Sequence, residues 1–173
     1  MTGHVMESDD VRRILSSLQR AGVEATVGGG WAIDALLGEQ TRPHSDLDLW
    51  VAAEDLEPLV KTFVELGLDR LFPWGDDRPW NFVVHDGGGL RVDLHLYEQL
   101  SDCRVHYGSI RTGDEFDSAY LRGIGTIAGM AVFCDSPEWA LRCHTGYPPR
   151  SVDREDVTRL CAKFRLPLPD AFR

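Results

Sequence analysis

Asp46-Leu47-Asp48-Leu49-Trp50-Val51 alternates without a break, and a period of two reads as a β-strand with two unlike faces. Leu47, Leu49 and Val51 point one way, toward a core, while Asp46, Asp48 and Trp50 point the other. Upstream, residues 23–27 read as a short strand that runs into Gly28-Gly29-Gly30. Helical spacing then resumes over residues 31–37, and Gly38 stops it. The loop that returns to the aspartates carries Arg42, Pro43 and His44. Downstream, Leu56, Leu59, Val60, Phe63 and Val64 mark an amphipathic helix closed by Gly67. Residues 80–84 and 90–97, joined by a Gly-rich turn, read as a hairpin. In its second strand Arg91, Asp93, His95 and Tyr97 share one face and Val92, Leu94 and Leu96 the other.

The flanks are simpler. Val11, Ile14, Leu15 and Leu18 predict a helix over residues 8–20, with Ser8, Asp9 and Asp10 as capping groups. Residues 101–120 show no sustained period and are expected to carry loops. A short hairpin is expected over residues 123–133. Ser136-Pro137-Glu138 is a helix start with Pro at its tolerated first position, leading to a helix through about residue 144. After Pro148 and Pro149, a last helix is expected over residues 152–164.

Three parts in this order point to chemistry: a glycine turn after a strand, two aspartates one residue apart, and a third in-phase aspartate on another strand. An Asp-x-Asp pair alone is a common solvated strand face, and a Gly-Gly turn alone is usually only a turn. Together they suit phosphoryl transfer to a hydroxyl, which needs cations to bridge triphosphate oxygens and to lower the acceptor's pKa. Two magnesium ions about 3.5–4 Å apart do this, and they require hard carboxylate oxygens. Asp46, Asp48 and Asp93 can supply them. Gly28 and Gly29 let the backbone approach phosphates at the start of the next helix.

Length and charge narrow the classes. The chain has 173 residues, enough for one core domain (residues 1–135) with a helical segment (residues 136–173) packed on it. A net charge of −10 argues against nucleic acid as a partner. No apolar run is long enough to span a bilayer, and residues 1–10 lack the pattern of a signal peptide, so no membrane and a cytoplasmic location are expected. Cys103, Cys134, Cys143 and Cys161 include no CxxC pair and read as incidental thiols. Whether the chain forms a homodimer is open at this level.

The stretch from Gly28 to Gly38, and Gln40-Thr41-Arg42-Pro43-His44-Ser45-Asp46-Leu47-Asp48-Leu49, resembles the signature of antibiotic nucleotidyltransferases. The likeness is to the lincosamide and aminoglycoside 2″-adenylyltransferase types of the DNA polymerase beta-like superfamily. Cys134 to Glu138, His144-Thr145-Gly146-Tyr147, and Asp153 with Asp156 strengthen the lincosamide comparison. The resemblance implies an α+β fold of the nucleotidyltransferase kind, a mixed sheet flanked by helices with a small helical C-terminal part. It further implies transfer of a nucleoside monophosphate, AMP by expectation, from a nucleoside triphosphate to a hydroxyl of a small antibiotic. Gly28 and Gly29 would hold the triphosphate, Asp46 and Asp48 would bind Mg2+, and Asp93 would serve as ligand, general base or both. The third glycine, Gly30, departs from relatives that run from Gly-Gly directly to Trp.

Supporting residues carry two readings each. Arg42 suits bidentate phosphate binding but also a solvated loop, and His44 suits a phosphate contact or a loop brace. Asp34 reads as exposed or structural, Trp31 as core rather than a nucleobase stacker, and His95 as a partner in phase with Asp93. Trp74, Trp80 and Tyr97 suit an acceptor pocket or simple packing. His144 and Tyr147 suit a ligand contact or a loop fixture. Asp153 and Asp156 have capping-box spacing. Rival functions keep the fold but use a protein acceptor, or make the chain a non-catalytic nucleotide- or partner-binding module.

Overall fold

The computed structural model describes residues 5–75 and 80–173; the start of the acidic N-terminal stretch and residues 76–79 lie outside it. Helix α1 (Ser8–Arg20) buries Val11, Ile14, Leu15 and Leu18, the stripe its spacing predicts. Its cap is Glu7 rather than Ser8, and the Glu7 amide donates to the Asp10 carboxylate at 3.3 Å. Strand β1 (Ala25–Val27) leads into α2 (Gly29–Leu37), which starts at the second glycine and ends at Gly38 in the left-handed region. Strand β2 (Leu47–Ala52) then buries Leu47, Leu49 and Val51 completely. Helix α3 (Leu56–Glu65) follows, but only Leu59, Thr62 and Phe63 are buried; Leu56, Val60 and Val64 of the expected stripe stay exposed.

Strands β3 (Arg70–Pro73), β4 (Asn81–His85) and β5 (Arg91–Ser101) form an antiparallel set. Next come β6 (Arg104–Tyr107), β7 (Asp114–Asp117), and the hairpin of β8 (Gly123–Ile127) and β9 (Met130–Cys134). Helices α4 (Pro137–Cys143) and α5 (Ser151–Phe164) end the chain, followed by a tail that returns Phe172 to a small cluster with Val157 and Cys161. Among the described residues the nine strands make one sheet in the order β3-β4-β5-β2-β1-β9-β8, with β6 and β7 continuing from β5. It is mixed: β2 runs parallel to β5 and β1 parallel to β9, the other pairs antiparallel. This is the α+β architecture expected, a mixed sheet with helices packed on it.

Two expectations are corrected. Residues 101–120 carry more than loops: they hold β6, β7 and a 3-10 turn at Ser118–Leu121, with a loop over residues 108–113 between the two strands. Each strand is four residues long, and Val105 and Phe116 are their only buried side chains, too few to show a period. They hold because β5 overshoots the main sheet and pairs with β6 from Tyr97 onward, through an irregularity between Gln99 and Ser101. Strand β3 was not anticipated, since all four of its residues are exposed and it is held by pairing with β4, with Phe72 stacked on His85.

The main core joins α1, α2 and α3 to the apolar faces of β1, β2 and β5. A second cluster gathers Trp50, Tyr97, Val105, Phe116, Leu121 and Trp139. Asp48 therefore sits on a strand whose neighbours in sequence feed both clusters, which immobilises its backbone. Among the described residues no helix is long and apolar enough to cross a membrane.

Candidate active site

All three glycines of the turn are used. Gly28 caps α2, its amide donating to the Asp48 carbonyl at 2.9 Å and its carbonyl accepting from Ala32. Gly29 has φ +58°, and a Cβ there would collide with Asp48 Oδ2. A Cβ on Gly30 would lie 2.6 Å from both Arg42 Nη2 and His44 Cε1. The turn thus lies against the second aspartate on one side and the returning loop on the other. Helix-start amides have no intrahelical partner and carry partial positive charge, so the acidic strand faces the anion-binding end of α2.

Asp48 and Asp93 are in register across the parallel β2–β5 pair, and Asp46 lies just before β2. Asp48 keeps 29% side-chain exposure deep in the fold, so it lines a recess. Burial alone would raise its carboxyl, but the His95 hydrogen bond and nearby cations outweigh this and hold it below its usual value. Asp93 goes the other way. Its burial, with the charges of Asp48 and Asp46, raises it against the opposing pull of Arg91. Arg91 grips both Asp93 oxygens, at 2.8 and 3.1 Å, with its guanidinium 5.0 Å from the Trp74 ring. Among the described residues no three His, Cys, Asp or Glu side chains form a finished metal cage. The donor set still fits a hard divalent cation: Asp93 feels the charges of Asp48 and Asp46, and Arg91 now neutralises it.

Arg42 and His44 are engaged with protein. Arg42 donates to Asp156 Oδ2 from Nε at 2.9 Å, and its Nη2 lies 2.9 Å from the same oxygen. Asp156 is therefore not a helix cap but the buried anchor that joins α5 to the loop before β2. Asp153 does cap α5, accepting the Arg150 amide at 2.9 Å together with its guanidinium. His44 is buried and its Nε2 lies 2.6 Å from Asp34 Oδ2. Asp34 in turn accepts from the Thr41 amide and hydroxyl, so it is structural and buried rather than exposed. Trp31 is core, its ring 4.6 Å from that of His44. Tyr97 packs in the second cluster, and Trp74 is exposed beneath Arg91. His144 donates through Nδ1 to the Ala140 carbonyl, and Tyr147 lies under Arg150.

One acidic residue of the site escaped the strand-by-strand reading. Asp135 follows β9 and is 1% exposed; its amide donates to the Val27 carbonyl at 2.9 Å. Its carboxylate accepts from the Gly29 amide and the Trp50 indole, while Oδ1 is buried without a partner. Burial and the Asp48 charge push its carboxyl well above the usual range. Its signals in the sequence are its place between an apolar strand and the Ser136-Pro137 helix start and its position inside the Cys134 to Glu138 stretch.

The sheet, the turn and the paired carboxylates are those of the nucleotidyltransferase fold. Solved structures share it: lincomycin-bound LnuA, a lincosamide antibiotic adenylyltransferase, matches with a TM-score of 0.77 at 21% identity, covering 91% of this chain and 97% of its own. ANT(2")-Ia in complex with adenylyl-2"-tobramycin matches with a TM-score of 0.72 at 24% identity, covering 91% of this chain and 88% of its own. In sequence, the lincosamide resistance protein of Staphylococcus haemolyticus is 23% identical over 147 residues, 85% of this chain and 89% of that protein. The profile of the aminoglycoside-2''-adenylyltransferase family matches residues 10–160, and the chain belongs to that family. It is an enzyme of the nucleotidyltransferase type.

Proposed function

We propose that this enzyme transfers a nucleoside monophosphate, AMP, from a nucleoside triphosphate to a hydroxyl of a small antibiotic, a lincosamide or an aminoglycoside. The observation that carries this reading is the placement of Asp48, in register with Asp93 and with Oδ2 facing the Gly29 turn. Family membership supports the acceptor class. Gly28 and Gly29 receive the triphosphate at the start of α2. Asp46, Asp48 and Asp93 would hold Mg2+, as two ions, which when bound would neutralise triphosphate charge and make the acceptor hydroxyl more acidic. Asp93, once released by Arg91, would accept the hydroxyl proton, as ligand, general base or both. Arg42 and His44 act in nucleotide binding by bracing Gly30 and hence the turn. The segment from residue 136 onward packs on the core and secures this brace through Asp156.

The test is incubation with each nucleoside triphosphate, magnesium and a panel of both antibiotic classes, read by mass spectrometry. A gain of one nucleoside monophosphate on a drug is the expected result. Nucleotide binding with no gain on any drug would remove the antibiotic from the reading. The net charge of −10 adds a discriminant. Capture of a polycationic aminoglycoside should weaken with salt, and capture of a lincosamide, with at most about one positive charge, far less.

A further inference from the structure

We propose that His95 is a positioning residue, held in turn by Tyr107 and Asn81, that aims the free oxygen of Asp48 at the Gly29 turn. The inference rests on the site reading above and adds three residues to it. His95 Nε2 lies 3.1 Å from Asp48 Oδ1, and its Nδ1 lies 2.9 Å from the Tyr107 hydroxyl. Tyr107 in turn hydrogen-bonds Asn81 Oδ1. With Asp48 ionised, the carboxylate can only accept, so Nε2 donates to it; the Tyr107 hydroxyl gives its one proton to Asn81 Oδ1, so Nδ1 donates to the Tyr107 oxygen. The ring cannot slip sideways, because it stacks on Trp50 at 4.7 Å and 28°, and Tyr107 meets Trp50 edge-on at 4.8 Å.

The arrangement spans four strands. Asp48 is on β2, His95 on β5, Asn81 opposite His95 on β4, and Tyr107 on β6. Asn81 and His95 are buried, so the chain is fenced from competing water. Its outcome is directional. One carboxylate oxygen is tied to His95, and the other faces Gly29, where triphosphate oxygens would arrive. A ligand carboxylate fixed by an outer hydrogen bond loses less freedom on binding a cation, and such outer partners are worth about 10–100-fold in affinity or activity.

Three variants test this. His95→Phe keeps a ring against Trp50 and removes the donor; His95→Gln restores a donor near the Nε2 position; Tyr107→Phe removes only the hydroxyl behind the ring. Mg2+ affinity is measured by calorimetry with a non-hydrolysable ATP analogue, alongside kcat and the acceptor KM. The expected result is a loss of Mg2+ affinity and kcat of roughly 10–100-fold for His95→Phe, partial recovery in His95→Gln, and a smaller loss in Tyr107→Phe. The acceptor KM should stay near wild type throughout. Wild-type Mg2+ affinity in folded His95→Phe and Tyr107→Phe proteins overturns the proposal. A double-mutant cycle of Asp48→Asn with His95→Phe, followed by metal-free urea unfolding, reports the contact whether or not turnover occurs. Coupled effects support the positioning role and additive effects overturn it. A wild-type protein that transfers nothing overturns the proposed function instead.

Discussion

Two regions meet at Asp48 and are built on opposite principles. The unit from β1 to β2 is local: turn, helix and returning strand close on themselves within a short stretch of chain. Gly28 bonds the Asp48 backbone, Gly29 lies against its carboxylate, and Arg42 and His44 cover Gly30. The region from β4 to β6 reaches the same aspartate through His95, Tyr107 and Asn81, residues distant in sequence from Asp48 and brought to it by strand pairing. In the first region, contact distances leave no room for a side chain, so residue type is forced. The second needs only donors and acceptors at the right places, which several residue types can supply. A tight site therefore uses crowding to shape the phosphate side and hydrogen bonding to aim the carboxylate.

Breaking the chemical end of the local unit should have the largest effect. Asp46→Asn and Asp48→Asn keep side-chain shape but lose charge, and kcat should fall on the order of 10³-fold, about 4 kcal/mol of barrier, with the fold retained. Steady-state kinetics with circular dichroism check this, and near-normal turnover in a folded variant would remove the pair from the metal site. Next comes the brace. Arg42→Ala leaves the buried Asp156 carboxylate unpaired, a loss of about 3 kcal/mol, the low end for such pairs because Arg42 keeps 24% exposure. Urea unfolding measures it, and a change in nucleotide KM without loss of stability would instead make Arg42 a direct phosphate ligand.

Gly29→Ala sharpens the crowding argument. It combines a left-handed backbone, worth about 1–2 kcal/mol, with displacement of Asp48 Oδ2. Nucleotide binding should suffer more than stability, and a calorimetric titration beside a melting curve separates the two. The smallest effect concerns Asp135. Its folded carboxyl is raised well above 3.8, so its contribution to stability is fully present below that value and is lost as pH rises through the raised one. Asp135→Asn stays neutral. It should therefore gain on wild type as pH rises from about 4 to 8, by roughly 2–4 °C, the shift that about 1 kcal/mol produces in a protein of this size. Metal-free melting curves at the two pH values test it, and an equal difference at both would remove Asp135 as the titrating group.

What could be read ahead of the fold follows the same division. The Asp46–Val51 alternation, the glycine turn, and the in-phase Arg91, Asp93 and His95 were legible because each is a short-range pattern with a steric or periodic cause. The roles of Asp156 and Asp34 were not, because a buried carboxylate and an exposed one look alike until the partner is in place. Asp156 gains its meaning from Arg42, on the far side of the sheet's central strands in sequence. Strand β3 and the pair β6–β7 were illegible for a further reason: with few or no buried side chains, they carry no hydrophobic period to detect.

Local order thus set the strand–turn–helix unit, the faces of β2 and β5, and the acidic character of the site, since steric limits and side-chain alternation act between near neighbours and are written residue by residue. Assembly of the chain set which carboxylate would be ionised, which would be held by Arg91, and which would be buried beside Trp50. Those outcomes depend on desolvation and on the charges that strand pairing brings within a few ångströms, and neither exists until residues distant in the chain share one sheet.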